Sequence, residues 1–181
     1  HQVLQHFNFA PTFEQDLALT VLVQFLTDRD PRSVMIFRGS AGTGKTTLAG
    51  ALVQTLLELG VGVVLMAPTG RAAKVFSVNS GHDAYTLHRC IYREQSYKGI
   101  SGTFNLGYNR LQHTLFMVDE ASMVYRWSDF HGGQSSESEF GSGNLLDDLI
   151  SFVYSGRHDR LILIGDQAQL APIGENDAPA L

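Results

Sequence analysis

The sequence holds a single cysteine, Cys90, which excludes an internal disulfide framework and fits a reducing compartment. Long apolar runs are missing too: stretches such as Val63–Ala67 and Leu161–Ile164 fall far short of the ~18 residues that cross a bilayer. No basic segment leads into an apolar one in the manner of a signal peptide, so the expected location is cytoplasmic, with no membrane partner. Positive charge is scarce: 13 Lys and Arg against 18 Asp and Glu leave a formal net charge of -5. That balance argues against a protein that coats nucleic acid with its whole surface. A start at His1 rather than Met predicts a piece of a longer chain. What remains, 44% hydrophobic and 17% charged over 181 residues, is a globular composition with core enough for one domain and too little for two.

The mean charge conceals an asymmetry. Between Arg71 and Arg110 lie Arg71, Lys74, Arg89, Arg93, Lys98 and Arg110 against only Asp83 and Glu94, a local balance of +4, so the remainder carries -9. A polyanion that binds this chain is expected along that window. The same window holds Phe76, Tyr85, Tyr92, Tyr97, Phe104 and Tyr108. Interleaved basic and aromatic side chains suit single strands, whose bases stack and whose phosphates pair, with about half of these aromatics expected in the core instead.

Periodicity alternates between two kinds of segment. Phe13, Leu17, Val21, Leu22 and Phe25 follow Thr12 at helical spacing; Lys45–Leu59 reads as a helix closed by Gly60, and Asn144 caps a helix through Tyr154. Arg71–Val78 and Thr86–Tyr92 read as short helices. Ser33–Phe37, Val61–Ala67, Leu115–Val118 and Leu161–Ile164 read as strands apolar on both faces, which predicts an α/β domain with a parallel sheet covered by helices on both sides. Tyr97–Arg110, with Gly99, Gly102 and Gly107 around Thr103–Leu106, predicts a small hairpin excursion. Ser128–Gly143 has five serines, four glycines and no Lys or Arg, which predicts a flexible loop.

Three constellations carry chemistry. Gly39-Ser40-Ala41-Gly42-Thr43-Gly44-Lys45-Thr46, followed by Thr47, fits G-x-x-x-x-G-K-[ST] between a strand and a helix. Backbone N–H groups of such a loop cradle phosphates at a helix N-terminus; Lys45 neutralises the β- and γ-phosphates of ATP, and the Thr46 hydroxyl coordinates Mg2+. Phe116-Met117-Val118-Asp119-Glu120 ends an apolar strand in two acids, Asp119 suited to hold the magnesium and Glu120 to deprotonate the attacking water. Gly165-Asp166-Gln167-Ala168-Gln169-Leu170-Ala171-Pro172 sets a polar cluster at the carboxyl end of another strand, where ligands of open α/β sheets bind, and the Gln169 amide there can sense a γ-phosphate. His82, His88 and Cys90 lack the compact spacing and fourth ligand of a metal site, and structural or DNA-contact roles suit them better.

GSAGTGKT, APTGRAAK (Ala67–Lys74), TLHR (Thr86–Arg89), FMVDEASM (Phe116–Met123) and GDQAQLAP resemble, in this order, motifs I, Ia, the T-x-H element, II and III of superfamily 1 DNA helicases. The likeness is to the RecD-like branch, that of exonuclease V alpha subunits and Dda-type helicases. It spans nearly the whole chain from about Gln15 and implies a RecA-like P-loop fold for 1–181 as a single ATP-binding motor domain. It gives Lys45, Thr46, Asp119, Glu120 and Gln169 the roles argued above, and implies contact of Thr69, Gly70, Arg71, Thr86, His88 and Arg89 with single-stranded DNA. Gln15 resembles the glutamine that reads adenine; Thr12-x-x-Gln15 equally has the spacing of a capping box. Such helicases close ATP between two RecA-like domains, and the later motifs that build the second are absent from this sequence, so it resembles the first motor domain only. Further partners implied are that second domain and nuclease or repair-complex subunits. Two other functions fit the same motifs: a P-loop ATPase switch without strand separation, and a nucleotide-gated DNA-binding module that scarcely hydrolyses.

Overall fold

Every buried strand of the domain has one face for each of two helical layers, and the alternation is visible residue by residue. In the computed structural model, which describes residues 12–28, 30, 32–40, 44–97, 100–124 and 141–166, the elements run α1 (Phe13–Thr27), β1 (Val34–Gly39), α2 (Lys45–Glu58), β2 (Gly62–Ala67), α3 (Gly70–Ser80), β3 (Ala84–Thr86), α4 (Leu87–Ile91), β4 (Tyr92–Tyr97), β5 (Ile100–Leu106), β6 (Thr114–Val118), α5 (Leu145–Tyr154) and β7 (Arg160–Asp166). Five strands form a parallel sheet in the order β1-β7-β6-β2-β3. Leu115 and Met117, with Ile162 and Ile164, turn toward Leu19, Leu22 and Phe25 of α1, Leu48 and Leu52 of α2 and Phe76 of α3. Phe116 and Val118, with Leu161 and Leu163, turn the other way, toward Leu87 and Ile91 of α4 and Leu149 and Phe152 of α5. A period of two through a strand buried on both faces requires this division.

Two details hold the first layer close. A Cβ on Gly50 of α2 would stand 2.7 Å from the Asn79 carbonyl oxygen, so only glycine lets α2 and α3 approach this closely. Gln54 Nε2 also donates to the Ser80 carbonyl across the same contact. At the far end, the Arg160 guanidinium donates to the Asp28 carbonyl and lies 5.3 Å from the centre of the Phe25 ring. This fixes the C-terminal end of α1 at the amino edge of the sheet and, at ~1.5 Å per residue, carries its first turn with Gln15 toward the carboxyl edge. Thr12 stands at the N-cap position of α1, where its carbonyl accepts from Asp16 N–H at 3.0 Å.

The parallel sheet with helices on both faces agrees with the sequence reading, and three boundaries differ. β3 was not expected: its three residues, Ala84–Thr86, pair with Leu65–Ala67 but are too short for periodicity to reveal. The short helix expected over Thr86–Tyr92 is Leu87–Ile91, with Thr86 capping it and Tyr92 already in β4. The hairpin expected in Tyr97–Arg110 spans Tyr92–Leu106, with Tyr92 opposite Leu106, because the polar first strand YREQSY carries no apolar alternation to mark it. Most of the loop expected over 128–143 lies outside the described residues.

Candidate active site at the carboxyl edge of the sheet

Strand order and register bring the motifs to one edge. Gly39 at the end of β1 pairs with Asp166 at the end of β7; Met66 of β2 pairs with Val118 of β6; Ala67 of β2 pairs with Thr86 of β3. Across the sheet this edge therefore presents Gly39, then Asp166, Asp119, Thr69 and Thr86. The first three strand ends carry the phosphate and carboxylate motifs, the last two the elements expected to meet DNA.

Gly44 enters α2 in the left-handed region, at φ 80°, and gives the helix no side-chain cap. Only a residue without Cβ takes that conformation without strain, and the bare first turn leaves its N–H groups for a phosphate. Lys45 opens the helix. Its ammonium donates to the carbonyls of Gly39 and of Ser40, the latter at 2.6 Å, so the cation stands over the strand end that a phosphate chain would approach. Ala41, Gly42, Thr43 and Gln169 lie outside the described residues.

Asp119 leaves β6 at the same edge, its N–H donating to the Met66 carbonyl at 3.0 Å. One carboxylate oxygen accepts the Glu120 N–H at 2.9 Å. Burial raises the Asp119 pKa above the ordinary carboxylate value; the neighbouring Glu120 charge raises it further, while the Glu120 N–H and the Lys45 charge oppose the shift. A desolvated carboxylate beside another acid is the donor that a divalent cation neutralises best. Glu120 itself takes φ 51°, unusual for a residue with Cβ and costing about 1–3 kcal/mol, and its side chain is exposed. The next turn is tied down, with Ala121 N–H donating to Ile164 of β7 at 2.8 Å. A lysine, an unoccluded helix N-terminus with Thr46 in its first turn, and a buried carboxylate thus form a donor set that fits a magnesium–nucleoside triphosphate. Among the described residues no three His, Cys, Asp or Glu side chains converge to hold a metal by themselves.

Along β2 and β3, Thr69 Oγ1 caps α3 by accepting from Ala72 N–H at 3.2 Å, and Thr86 Oγ1 caps α4 by accepting from Arg89 N–H at 3.4 Å. Each hydroxyl keeps its own proton to donate outward. Arg71 and Lys74 are exposed on α3. The Arg89 guanidinium lies 4.9 Å from the centre of the Tyr85 ring, which is itself exposed. His88 leans on Tyr92 with ring centroids 5.6 Å apart, and burial lowers its pKa, so it faces this edge as a neutral ring. The aromatics divide as expected: Phe76 and Tyr92 are core, Tyr85 and Tyr108 are exposed. Arg93, counted as a basic residue of the window, instead closes the end of α4, donating to the carbonyls of Arg89, Cys90 and Tyr92. Nothing in the sequence foretold that role, nor the left-handed Glu120.

Comparison with known proteins agrees with this edge. Residues 19–129 match a family model described as an AAA domain, AAA_30. The chain is 31% identical over 144 residues to the ATP-dependent RecD2 DNA helicase of Deinococcus radiodurans, covering 77% of this chain and 16% of that protein. It is 39% identical over 61 residues to the ATP-dependent DNA helicase dda of Enterobacteria phage T4, covering 33% of this chain and 14% of that one. Among solved structures it is similar to the Pif1 helicase of Candida albicans, with a TM-score of 0.45 and 18% identity over 91% of this chain and 34% of that one. The chain thus spans about a sixth of the length of the curated relatives it matches.

Proposed function

The chain belongs to the AAA_30 family of AAA domains, and from that premise we propose that it is the first motor domain of an ATP-dependent DNA helicase that moves on single-stranded DNA. The observation that carries this reading is the shared edge: a phosphate site at the ends of β1, β7 and β6, and a basic and aromatic surface at the ends of β2 and β3. Nucleotide and strand would then sit on neighbouring ends of one sheet, so that a change at one is felt at the other.

Lys45 and the N–H groups of the first turn of α2 hold the β- and γ-phosphates, and Thr46 and Asp119 hold the magnesium. Magnesium, when bound, supplies charge neutralisation at the phosphates. Glu120, aimed into solvent beside Asp119 by its left-handed backbone, takes the proton of the attacking water. Gln169 senses the γ-phosphate, and Gln15 lies on the helix that reaches the same edge. Thr69, Gly70 and Arg71 receive DNA phosphates at the N-terminus of α3, while Arg89 and Tyr85 offer a charged and stacking surface for the next nucleotides. A second RecA-like domain supplies the arginine that completes the site, which can add about 10³–10⁵ in rate. No described helix is long and apolar enough to cross a membrane.

ATP turnover by the full-length protein, with and without single-stranded DNA, together with strand separation on a tailed duplex, tests the reading. The expected result is turnover stimulated by DNA and a duplex opened only with ATP. Turnover indifferent to DNA would make the protein an ATPase switch; DNA bound in a nucleotide-dependent way without turnover would make it a gated binding module.

A further inference from the structure

The β4–β5 hairpin is a sheet of its own. Its strands pair only with each other, from Tyr92 opposite Leu106 to Tyr97 opposite Ile100. A two-stranded hairpin is marginally stable by itself, so its direction from the body is set at its root. There the N–H of Gly107 donates to the Ile91 carbonyl at 2.6 Å and closes the base, while Ile91 and Tyr92 are buried against Leu149 and Phe152 of α5. Apolar burial is non-directional and fixes no angle; hydrogen bonds do.

Those bonds converge on one carboxylate. The Tyr92 hydroxyl donates to Asp148 Oδ2 at 2.7 Å, and the Ser142 N–H donates to the same oxygen at 3.0 Å. One residue earlier, the Gly141 N–H donates to the Phe104 carbonyl of β5 at 2.9 Å. Gly141 has φ 53°, and a Cβ there would stand 2.0 Å from Asp148 Oδ2 and 2.7 Å from Tyr92 Cε1, so the junction admits glycine alone. Asp148 is 4% exposed. Both hairpin strands, α5 and the segment entering α5 are therefore locked to each other inside the protein. From α5 the chain passes into β7, which ends beside Gly39 at the nucleotide edge. Neither Tyr92 nor Asp148 belongs to that edge.

We propose that Tyr92 and Asp148 are positioning residues that hold the hairpin at a fixed angle on the motor core, so that their hydrogen bond governs strand displacement and leaves ATP turnover alone. This rests on the helicase reading, with the hairpin standing beyond α4 on the side of the sheet where DNA is expected. Motion of β7 on hydrolysis passes through α5 to the hairpin only while the two are joined. A hairpin that swivels at its root absorbs the motion instead of transmitting it.

Tyr92→Phe in the full-length protein is the test, since it keeps the ring in the core and removes one hydroxyl. DNA-stimulated turnover stays within about twofold of wild type, while base pairs opened per ATP fall about tenfold, as loss of one bond to a buried carboxylate allows. A second readout is independent of DNA: amide exchange between Arg93 and Asn105 quickens about tenfold, while β6 and β7 keep wild-type rates. Asp148→Asn, which can set its one oxygen where both donors meet, gives smaller changes of the same kind and serves if Tyr92→Phe does not fold. Unchanged hairpin exchange overturns the proposal, as does equal loss of turnover and unwinding. A wild-type protein inert on DNA whose hairpin nonetheless loosens in the variant overturns the helicase reading and upholds the anchor.

Discussion

The sheet has an aspartate at each end, and the two are served in opposite ways. Asp159, just before β7, is 2% exposed and fully engaged: one oxygen accepts the Thr114 N–H at 2.8 Å, the other accepts Asn109 Nδ2 at 2.8 Å. Asn109 in turn donates to the Val153 carbonyl at 3.1 Å and accepts from Leu111 N–H at 2.9 Å. His113 and His158 stack beside it with centroids 4.9 Å apart. A Cβ on Gly156 would stand 2.0 Å from the carboxylate, so even the turn is shaped around it. Asp119, at the other end, accepts from the N–H of its own neighbour and feels the Lys45 charge, while the Lys45 ammonium bonds to backbone carbonyls. Burial raises the pKa of both aspartates, so their difference lies in partners and not in depth. The amino edge uses its polar groups to close the fold; the carboxyl edge holds them for what comes from outside. Replacing carboxylate by amide, which changes no volume, separates the two.

The largest effect is expected at the carboxyl edge, on chemistry. Glu120→Gln keeps the shape of the exposed side chain and removes its basicity, so turnover in the full-length protein falls about 10²–10⁴-fold while ATP affinity stays near wild type. Steady-state turnover and calorimetric titration measure the two separately. Turnover near wild type would remove Glu120 as the base, and with it the chemical half of the contrast.

At the amino edge the same kind of change acts on stability. Asp159→Asn cannot satisfy both neighbours: one amide orientation sets an NH₂ against the Thr114 N–H, the other against Asn109 Nδ2, which is already committed to Val153. A buried donor facing a donor costs about 1–3 kcal/mol, read as a lower urea midpoint with an unchanged slope. An unmoved midpoint would mean that this end is as permissive as the other.

The two edges were also unequally legible in the sequence. The carboxyl edge could be read because its chemistry needs fixed residue types at fixed spacing: Gly39 to Thr46 sits between an apolar strand and a helix, and Asp119-Glu120 ends another strand. Apolar runs such as Leu161–Ile164 marked strands buried on both faces, and from these the parallel sheet followed. The amino edge gave no such signal, since Asn109, Thr114, Asp159 and Gly156 are far apart in sequence and meet only when β6 and β7 pair. The hairpin root was hidden for the same reason: Tyr92 and Asp148 lie 56 residues apart. β3 escaped because three residues cannot display a period. Local chemistry writes itself into local sequence; tertiary hydrogen bonds do not.

The smallest expected effect is the one that separates the edges most directly, because its sign is opposite. In the absence of nucleotide and metal, Asp119 bears its charge where burial and Glu120 disfavour it. Asp119→Asn keeps an oxygen for the Glu120 N–H and discards the charge, so the domain gains about 0.5–2 kcal/mol while magnesium-dependent turnover is lost, a trade common where function holds a group in an unfavourable setting. The gain depends on pH in a fixed direction. The folded pKa of Asp119 is raised above the ~3.9 of an unfolded aspartate. Below that value both states are protonated, wild type has no charge to bury, and it matches the amide. As pH rises past it, the unfolded chain releases its proton first while the folded chain retains one, so wild-type stability declines until the raised pKa is passed and then levels off. Asp119→Asn has no such decline. The gap in urea midpoint between the two is therefore open at pH 7 and closes toward pH 4. A gap that holds constant, or widens on acidification, would show that Asp119 is a satisfied carboxylate like Asp159, and the contrast between the two ends would fail.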